Sequence, residues 1–243
     1  MNATSAFPAE PHDPATPARK VLIWDAPVRV FHWLMVLSFA GAYLTAESER
    51  WRLVHVSLGY TLAGLVLFRL VWGLMGTRYA RFASFVRGPQ AVARYLGSLL
   101  RGRPEHHLGH NPAGALAIVG LLGLALAVTA SGWAIYSEVG PEWLEEVHEL
   151  AANTMLALVG VHIAAVVLSS VLHGENLIVA MVSGRKPGLP QDAIRSAWRS
   201  VAALMLVAVL GFWWLQWQGA PIGGLADRPA ASARSGHDED HDD

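Results

Sequence analysis

The sequence contains no cysteine. Without thiols the chain cannot form a disulfide, a thiolate metal site or an iron–sulfur cluster, and it cannot attach haem covalently through a CxxCH motif. Any metal or cofactor must therefore be held by histidine, methionine, tyrosine, carboxylate or backbone groups.

Charged residues are also scarce. They make up 15% of the 243 residues, whereas hydrophobic residues make up 53%; soluble proteins carry roughly 25% charged residues. The formal net charge of −1 provides no basic field for nucleic acid, so no nucleic-acid partner is expected. This composition predicts a protein of the lipid bilayer.

Five apolar segments have about the 20 residues needed to cross a bilayer. They run approximately over 27–46, 53–75, 112–136, 147–172 and 201–217. Asp25 and Asn111 are expected to cap the first and third segments, each with a proline in the first helical turn. The fifth segment is the shortest, but it ends in tryptophans, as spans often do at the membrane interface. A cleaved signal peptide is not expected, because the first segment is long and contains His32.

Basic residues are distributed unequally among the loops. Those between the second and third segments are Arg78, Arg81, Arg87, Arg94, Arg101 and Arg103, and those between the fourth and fifth are Arg185, Lys186, Arg195 and Arg199. The loop 137–149 instead contains five glutamates and neither lysine nor arginine. Cytoplasmic loops carry the excess of basic residues. The pattern predicts a cytoplasmic N-terminus, and the odd number of spans places the C-terminus on the opposite side of the membrane.

Four histidines lie inside these segments or at the start of one: His32, His55, His148 and His162. A lone histidine there is usually an interfacial or packing residue, but ionisable groups within a membrane are costly and indicate function. Fourteen residues separate His148 from His162, which is about 21 Å along a helix and a return to within about 40° of the same face. With the predicted orientation, His148 lies level with His55 near the outer surface. His162 lies level with His32 near the inner surface.

One helix thus supplies a ligand to each of two stacked sites. A histidine pair from facing helices is what a haem iron needs for axial coordination. Zinc or a di-iron centre requires three or more ligands at one depth, and no segment offers them. Two imidazoles fill both axial positions, so the expected chemistry is the transfer of single electrons rather than activation of oxygen.

Three further residues fit this pattern. Arg69 stands fourteen residues after His55, at the depth of the inner site, where it could pair with a haem propionate; the alternative is that it extends to the cytoplasmic interface. Gly59 and Gly160 are close to ligand positions and would let a porphyrin approach the backbone. Small-residue packing between helices is the equal alternative for both glycines.

Four stretches of the chain resemble the bacterial cytochrome b561 family, which includes the cytochrome b subunits of nickel–iron hydrogenases. They are WDAPVRVFHW around His32, RLVHVSLGY around His55, the EVHELAANTMLALVGVH run, and LHGENLIVAMVSGRKP from His173. The resemblance covers roughly residues 22–187. It implies a four-helix core with two b-type haems, one bound by His32 and His162 and the other by His55 and His148, and electron exchange with membrane quinones. Arg69 also matches an arginine of the family pattern.

The remaining histidines are less informative. His173 follows the fourth span on the cytoplasmic side, where it could bind a quinone head group or relay protons, although an interfacial cap is the more common role. His106, His107 and His110 are expected to be solvated residues of the arginine-rich loop. The acidic tail SGHDEDHDD is expected to be solvated. The glutamates of loop 137–149 would attract a basic electron-transfer partner.

The sequence therefore predicts an all-α integral membrane protein, with a four-helix transmembrane haem-binding bundle and a fifth C-terminal transmembrane helix. The expected domain boundaries are a cytoplasmic disordered tail over 1–20, the di-haem domain over 21–187, the fifth helix with its lead-in over 188–218, and an extracytoplasmic acidic, histidine-containing tail over 219–243.

The expected function is electron transfer across the bilayer between the quinone pool and a periplasmic partner, either a c-type cytochrome or a hydrogenase. Such a protein could act as a quinol oxidoreductase. Two alternatives from other classes are a metal or proton transporter that uses intramembrane histidines and a membrane anchor for a redox enzyme. The direction of electron flow is not encoded in the sequence.

Overall fold

The computed structural model describes residues 19–101 and 108–219. The described chain forms eight α-helices and a two-stranded antiparallel sheet. The helices are α1 (Ala26–Thr45), α2 (Arg52–Met75), α3 (Phe82–Phe85), α4 (Pro89–Leu100), α5 (Pro112–Tyr136), α6 (Trp143–His173), α7 (Leu177–Ser183) and α8 (Arg199–Gly219). The strands are β1 (Arg19–Leu22) and β2 (Arg185–Gly188), and 3₁₀ turns cover Glu49–Trp51 and Pro190–Asp192.

Five of these helices are long and apolar enough to cross a membrane: α1, α2 with the preceding 3₁₀ turn, α5, α6 and α8. The predicted all-α membrane fold with five spans is therefore confirmed. The largest difference is at α6, which begins at Trp143 rather than near residue 147 and extends over 31 residues. Because α6 is continuous, His148 and His162 lie on one unbroken helix.

The helix ends follow from local chemistry. Asp25 Oδ1 accepts a hydrogen bond from Val28 N (2.9 Å) at the start of α1. Asn111 Oδ1 accepts one from Gly114 N (2.7 Å) at the start of α5. Both predicted N-caps are therefore confirmed. Gly174 ends α6 in the left-handed region, with φ of 62°, a conformation that glycine adopts without steric cost.

The long helices pack in a defined order. α1 lies along α2, α2 along α5, and α5 along α6, while α8 packs on α1 and also contacts α2. Among these described helices, α6 runs close to α5 along its length but makes no comparably close approach to α1 or α2. The helix that carries two histidines is thus set apart from the two helices that carry their expected partners.

The buried apolar core lies in two main clusters between the long helices. One contains Phe39, Leu62, Val66, Ala125 and Met155, and the other contains Phe31, Leu34, Leu65, Leu122 and Met205. Because lipid is as apolar as these side chains, van der Waals packing between the helices stabilises the clusters. The second cluster includes Met205 of α8, so the fifth helix takes part in the core of the bundle.

The strands β1 and β2 pair Arg19 with Gly188 and Leu22 with Arg185. This sheet connects the entry of α1 to the exit of α7, and the amides of Ile23 and Trp24 both donate to Gly184 O. The tail placed over 1–20 includes two residues of β1, and the boundary at 187/188 falls inside β2, because backbone pairing holds both segments. Residues 1–18 and 220–243, which include the acidic tail, lie outside the described residues, as do His106 and His107.

Candidate functional site

His55 of α2 and His148 of α6 face each other. Their ring centroids are 6.2 Å apart, with an angle of 68° between the ring planes. Two imidazoles that bind one metal ion from opposite sides, each through a metal–nitrogen bond of about 2 Å, place their ring centres about 6 Å apart. The spacing of this pair, called the His55–His148 site below, fits shared coordination of one metal ion.

Backbone oxygens fix the orientation of both rings. His55 Nδ1 is 2.8 Å from Ala42 O, and His148 Nδ1 is 3.0 Å from Val128 O. A carbonyl oxygen can only accept, so each Nδ1 carries the proton and each Nε2 has a lone pair available to a metal. Metal-binding histidines are commonly oriented by this kind of second hydrogen bond.

Two small residues of α5 complete the surroundings of His148. Ser131 Oγ is 3.1 Å from His148 Nδ1. A Cβ added at Gly132 would lie 2.9 Å from His148 Cε1 and 3.2 Å from Nδ1, so the histidine ring packs directly on the glycine backbone. Neither residue is predicted from the sequence, because a serine and a glycine in an apolar helix carry no signal until the facing helix is known.

His32 of α1 and His162 of α6 form the second pair, called the His32–His162 site. Both are partly buried, and they are close enough to interact electrostatically. Nδ1 of His32 is buried and has no hydrogen-bond partner among the described residues. Among the described residues, His32 therefore lacks a backbone hydrogen bond of the kind that orients each ring of the His55–His148 site.

An apolar layer separates the two pairs. Met155 stands midway between His148 and His162 on α6, is 3% exposed, and packs with Phe39, Leu62, Val66 and Ala125. The rise of α6 between its two histidines is about 21 Å. The two sites are thus distinct and lie at different depths of the bundle.

Arg69 is 3% exposed, so its side chain does not extend to the interface, the alternative considered from the sequence. Its guanidinium carbon lies 4.7 Å from the ring centroid of Phe82 and 6.0 Å from that of Phe85. Nη1 has no hydrogen-bond partner among the described residues. Asp25 lies within electrostatic range of Arg69, but no hydrogen bond joins the two among the described residues. A buried donor without a partner is costly, so Nη1 fits a site for a carboxylate.

Asp25 links the start of α1 to the end of α2. It is 0% exposed, and Oδ2 accepts hydrogen bonds from Trp72 Nε1 (3.1 Å) and Thr77 Oγ1 (2.7 Å). With the N-cap bond to Val28, the carboxylate receives three donors. Asp25 therefore fixes the relative positions of the helices that carry His32 and Arg69, a role beyond the predicted cap.

The expectation of a solvated loop is wrong for His110. Its ring lies between Trp24 and Phe85, with centroid distances of 4.5 and 4.6 Å, and its Nδ1 is buried without a hydrogen-bond partner among the described residues. Burial, together with the nearby charges of Arg69 and Lys186, lowers the pKa of His110 to about 3. Its position directly before the Asn111-Pro112 helix start was the available signal, since it puts His110 at the end of a span rather than in mid-loop.

The other predicted residues have different surroundings. A Cβ at Gly59 or Gly160 would meet nothing within 4 Å, so neither glycine mediates close helix packing, and both leave room for a planar group. His173, the last residue of α6, contacts Ser169 O of its own helix through Nδ1 (2.9 Å). That contact agrees with the capping role considered from the sequence.

The donor set fits haem better than a clustered metal centre. Over residues 19–101 and 108–219, no group of three or more His, Cys, Asp or Glu residues is placed to hold a metal ion. The bundle instead presents imidazoles in pairs, with buried unpartnered nitrogens of Arg69 and His110 beside one pair. Paired imidazoles with nearby carboxylate-binding groups match what a non-covalent haem requires.

Comparison with known proteins gives a family match over residues 23–184 to the model described as prokaryotic cytochrome b561. That range contains all four paired histidines and ends before α8. No solved structure matches the chain significantly.

The similar curated proteins carry closely related names. A "Probable Ni/Fe-hydrogenase 1 B-type cytochrome subunit" of Escherichia coli (strain K12) is 30% identical over 142 residues, which is 48% of this chain and 60% of that protein, so this match covers less than two thirds of that relative. A "Probable Ni/Fe-hydrogenase B-type cytochrome subunit" of Rhizobium leguminosarum bv. viciae is 24% identical over 76% of this chain and 97% of its own length. The protein of the same name in Azotobacter vinelandii is 27% identical over 68% and 87%, respectively.

Proposed function

The chain belongs to the prokaryotic cytochrome b561 family, and from this premise we propose that it is a di-haem membrane cytochrome b. Its function is to transfer electrons across the bilayer between the quinone pool and a periplasmic redox partner. The observation that carries the proposal is the presence of two separate histidine pairs that share the continuous helix α6.

The proposed cofactors are two non-covalent b-type haems, one bound axially by His55 and His148 and the other by His32 and His162. When bound, such haems supply one-electron transfer without an open position for oxygen. The residues around them hold and tune the sites. The Ala42 and Val128 carbonyls orient one pair of imidazoles. Beside the other pair, Arg69 offers a propionate its Nη1, which has no hydrogen-bond partner among the described residues.

The proposed orientation places the N-terminus in the cytoplasm and the C-terminus in the periplasm. Exposed arginines flank α4 and precede α8, and the opposite ends of α5 and α6 are joined by the glutamate-rich loop 137–149. The positive-inside rule supports this assignment. The His55–His148 site then lies near the periplasmic surface, and the His32–His162 site lies near the cytoplasm.

The proposed periplasmic partner is a hydrogenase or a c-type cytochrome. The names of the relatives support the hydrogenase. All five glutamates of the segment 137–149 are exposed, and His148 lies in the first turns of α6, between Glu146 and Glu149. This acidic surface would attract a basic partner to the His55–His148 site and make the association sensitive to salt.

The proposed quinone contact is near His173, on the cytoplasmic side. An open groove lies at the turn between α6 and α7, and its lining includes Val167, Val171 and Ile178 together with Glu175 and Asn176. His173 is adjacent to this turn. A lipid-soluble quinone could enter such a groove from the bilayer.

An absorption spectrum of the purified protein tests the proposal. Reduction with dithionite should sharpen a b-type α band, acid–acetone should extract all of the haem because no cysteine tethers it, and the extracted haem should amount to two per chain. A folded but colourless protein would contradict the proposal and favour a transporter or an anchor. One haem per chain would contradict the assignment of two sites.

A further inference from the structure

The end of the bundle that contains the His32–His162 site holds a histidine to which the axial pairing gives no role. We propose that His110 binds a carboxylate of the group held between His32 and His162, acting beside Arg69 as a second donor to a haem propionate. This inference rests on the proposed function, because it assigns a contact to one of the two proposed haems.

The first argument is the position of the ring. His110 and Arg69 both pack against Phe85, at 4.6 Å between ring centroids and at 6.0 Å from the guanidinium carbon. His110 also interacts electrostatically with Arg69, His162 and His32. It therefore stands close to both proposed ligands of one site, although it comes from the loop before α5 rather than from a ligand-bearing helix.

The second argument is the pair of buried nitrogens that lack partners. Arg69 Nη1 and His110 Nδ1 are both buried, and neither has a hydrogen-bond partner among the described residues. Buried polar groups are nearly always hydrogen-bonded, and those that are not call for a specific explanation. A single carboxylate placed between these two nitrogens would satisfy both.

The third argument is that the nearby acids are already committed. Asp25 accepts from Val28 N, Trp72 Nε1 and Thr77 Oγ1, and Glu175 pairs with Lys186 at 3.0 Å. Neither acid hydrogen-bonds to Arg69 or His110. Within residues 19–101 and 108–219, this end of the bundle thus provides donors without a hydrogen-bonded acceptor, and haem b carries two propionate carboxylates that can fill this role.

The two donors contribute in different ways. Arg69 contributes a positive charge, whereas His110 contributes a hydrogen-bond donor even in its neutral form. A neutral imidazole with its proton on Nδ1 donates one hydrogen bond. A hydrogen bond from a neutral donor to a carboxylate is charge-assisted and stronger than one between neutral groups.

Two substitutions in the full-length, haem-loaded protein separate this role from simple packing. His110→Phe keeps an aromatic ring between Trp24 and Phe85 but removes the donor. His110→Asn loses the ring but keeps an N–H close to the position of Nδ1. Packing alone predicts that the asparagine variant is the more damaging, and carboxylate binding predicts the opposite order.

The measurements are the rate at which each haem is lost in detergent and the redox-induced infrared difference spectrum, with the haem propionates labelled by ¹³C. In His110→Phe we expect the His32–His162 haem to be lost roughly tenfold faster or more, with an altered propionate band. In His110→Asn we expect both properties to stay near those of the unchanged protein. The His55–His148 haem should be unaffected in both variants and serves as the internal control for folding.

Tyr79→Phe is the matched control, because Tyr79 packs against Trp24 in the same aromatic cluster and its hydroxyl donates to Asp192 O (3.0 Å) rather than toward Arg69. It should leave both haems unchanged. The inference is overturned if His110→Phe behaves like the unchanged protein, or if it is no worse than His110→Asn. If the protein holds two haems and His110→Phe leaves both unchanged, only this contact is refuted. If the protein binds no haem, the proposed function itself is refuted.

Discussion

The two histidine pairs share α6 but are built differently. At the His55–His148 site, main-chain carbonyls hold both rings in one tautomer, and Gly132 lets the α5 backbone support His148. At the His32–His162 site, His32 Nδ1 has no partner among the described residues, and the neighbouring Arg69 and His110 carry unpartnered nitrogens. At the His55–His148 site, backbone carbonyls of the protein accept the hydrogen bonds of both rings. Beside the His32–His162 site, buried donors have no acceptor among the described residues.

This difference shows how one helix can serve two sites with different properties. Ligand orientation, hydrogen bonding and nearby charge are the means by which a protein sets the redox potential of a bound haem. Hydrogen bonds from Nδ1 to backbone carbonyls make the imidazoles of the His55–His148 site more electron-donating. The His32–His162 site instead has a buried cation, Arg69, beside it. We therefore expect the His32–His162 haem to have the higher potential of the two.

The largest expected effect is the loss of a ligand. His148→Ala should remove the His55–His148 haem alone, and His162→Ala should remove the His32–His162 haem alone, because each ligand serves one pair. Haem content per chain should fall from two to one in each variant, as measured by extraction, and the two remaining spectra should differ. Equal spectra from both variants would contradict the comparison of two unlike sites.

Gly132→Ala should have the next largest effect. The added methyl would lie 2.9 Å from His148 Cε1, and overpacking of this kind costs about 1–3 kcal/mol. We expect weakened retention of the His55–His148 haem and no change at the other site, measured as the rate of haem loss. Gly123→Ala on the same helix is the control, since its Cβ would meet nothing within 4 Å. Similar behaviour of the two variants would mean that Gly132 does not support His148.

Arg69→Leu should change the His32–His162 haem selectively. A positive charge nearby favours the form that has gained an electron, so its removal should lower the midpoint potential. A stabilisation of about 1.4 kcal/mol corresponds to about 60 mV for one electron, which is the scale of the shift expected in a redox titration. Exposed Arg78→Leu should produce no shift. A potential that is unchanged in Arg69→Leu would argue against a propionate contact.

Ser131→Ala should have the smallest effect, and this effect should be at the His55–His148 site. It removes the 3.1 Å contact to His148 Nδ1 but leaves the bond to Val128 O, so the loss should be about 0.5 kcal/mol. We expect a small shift in the potential of the His55–His148 haem only, within about 30 mV. The matched control is Ser57→Ala, which removes a partly buried hydroxyl that donates to Leu53 O of its own helix. A shift confined to the His32–His162 haem would contradict the assignment of Ser131.

Much of this architecture can be predicted from the sequence. Span length and hydropathy predict the five long helices, Asp25 and Asn111 predict two helix starts, and the fourteen-residue spacing of His148 and His162 predicts two levels. These features depend on local chemistry or on the fixed rise of one helix, so each can be read from a single segment. The same calculation predicts that His148 lies level with His55.

Other features require the folded chain. The antiparallel pairing of β1 and β2 joins residues more than 160 positions apart, and Trp213 of α8 donates to Thr61 of α2 (2.9 Å). His110 was assigned to a solvated loop because its neighbours in sequence are polar or basic, yet its neighbours in space are Trp24 and Phe85. No local pattern indicates which aromatic rings will enclose it.

The sequence by itself determined that the chain spans a membrane and offers imidazoles at two depths, because hydropathy and helical rise are properties of each segment alone. Only the tertiary structure decided how those imidazoles are held: which carbonyl oxygens accept hydrogen bonds from them, which glycine supports a ring, and which buried nitrogens lack a hydrogen-bond partner among the described residues. The reason is that hydrogen bonds and packing contacts between helices depend on distances of a few ångströms, and those distances are set by how whole helices pack together.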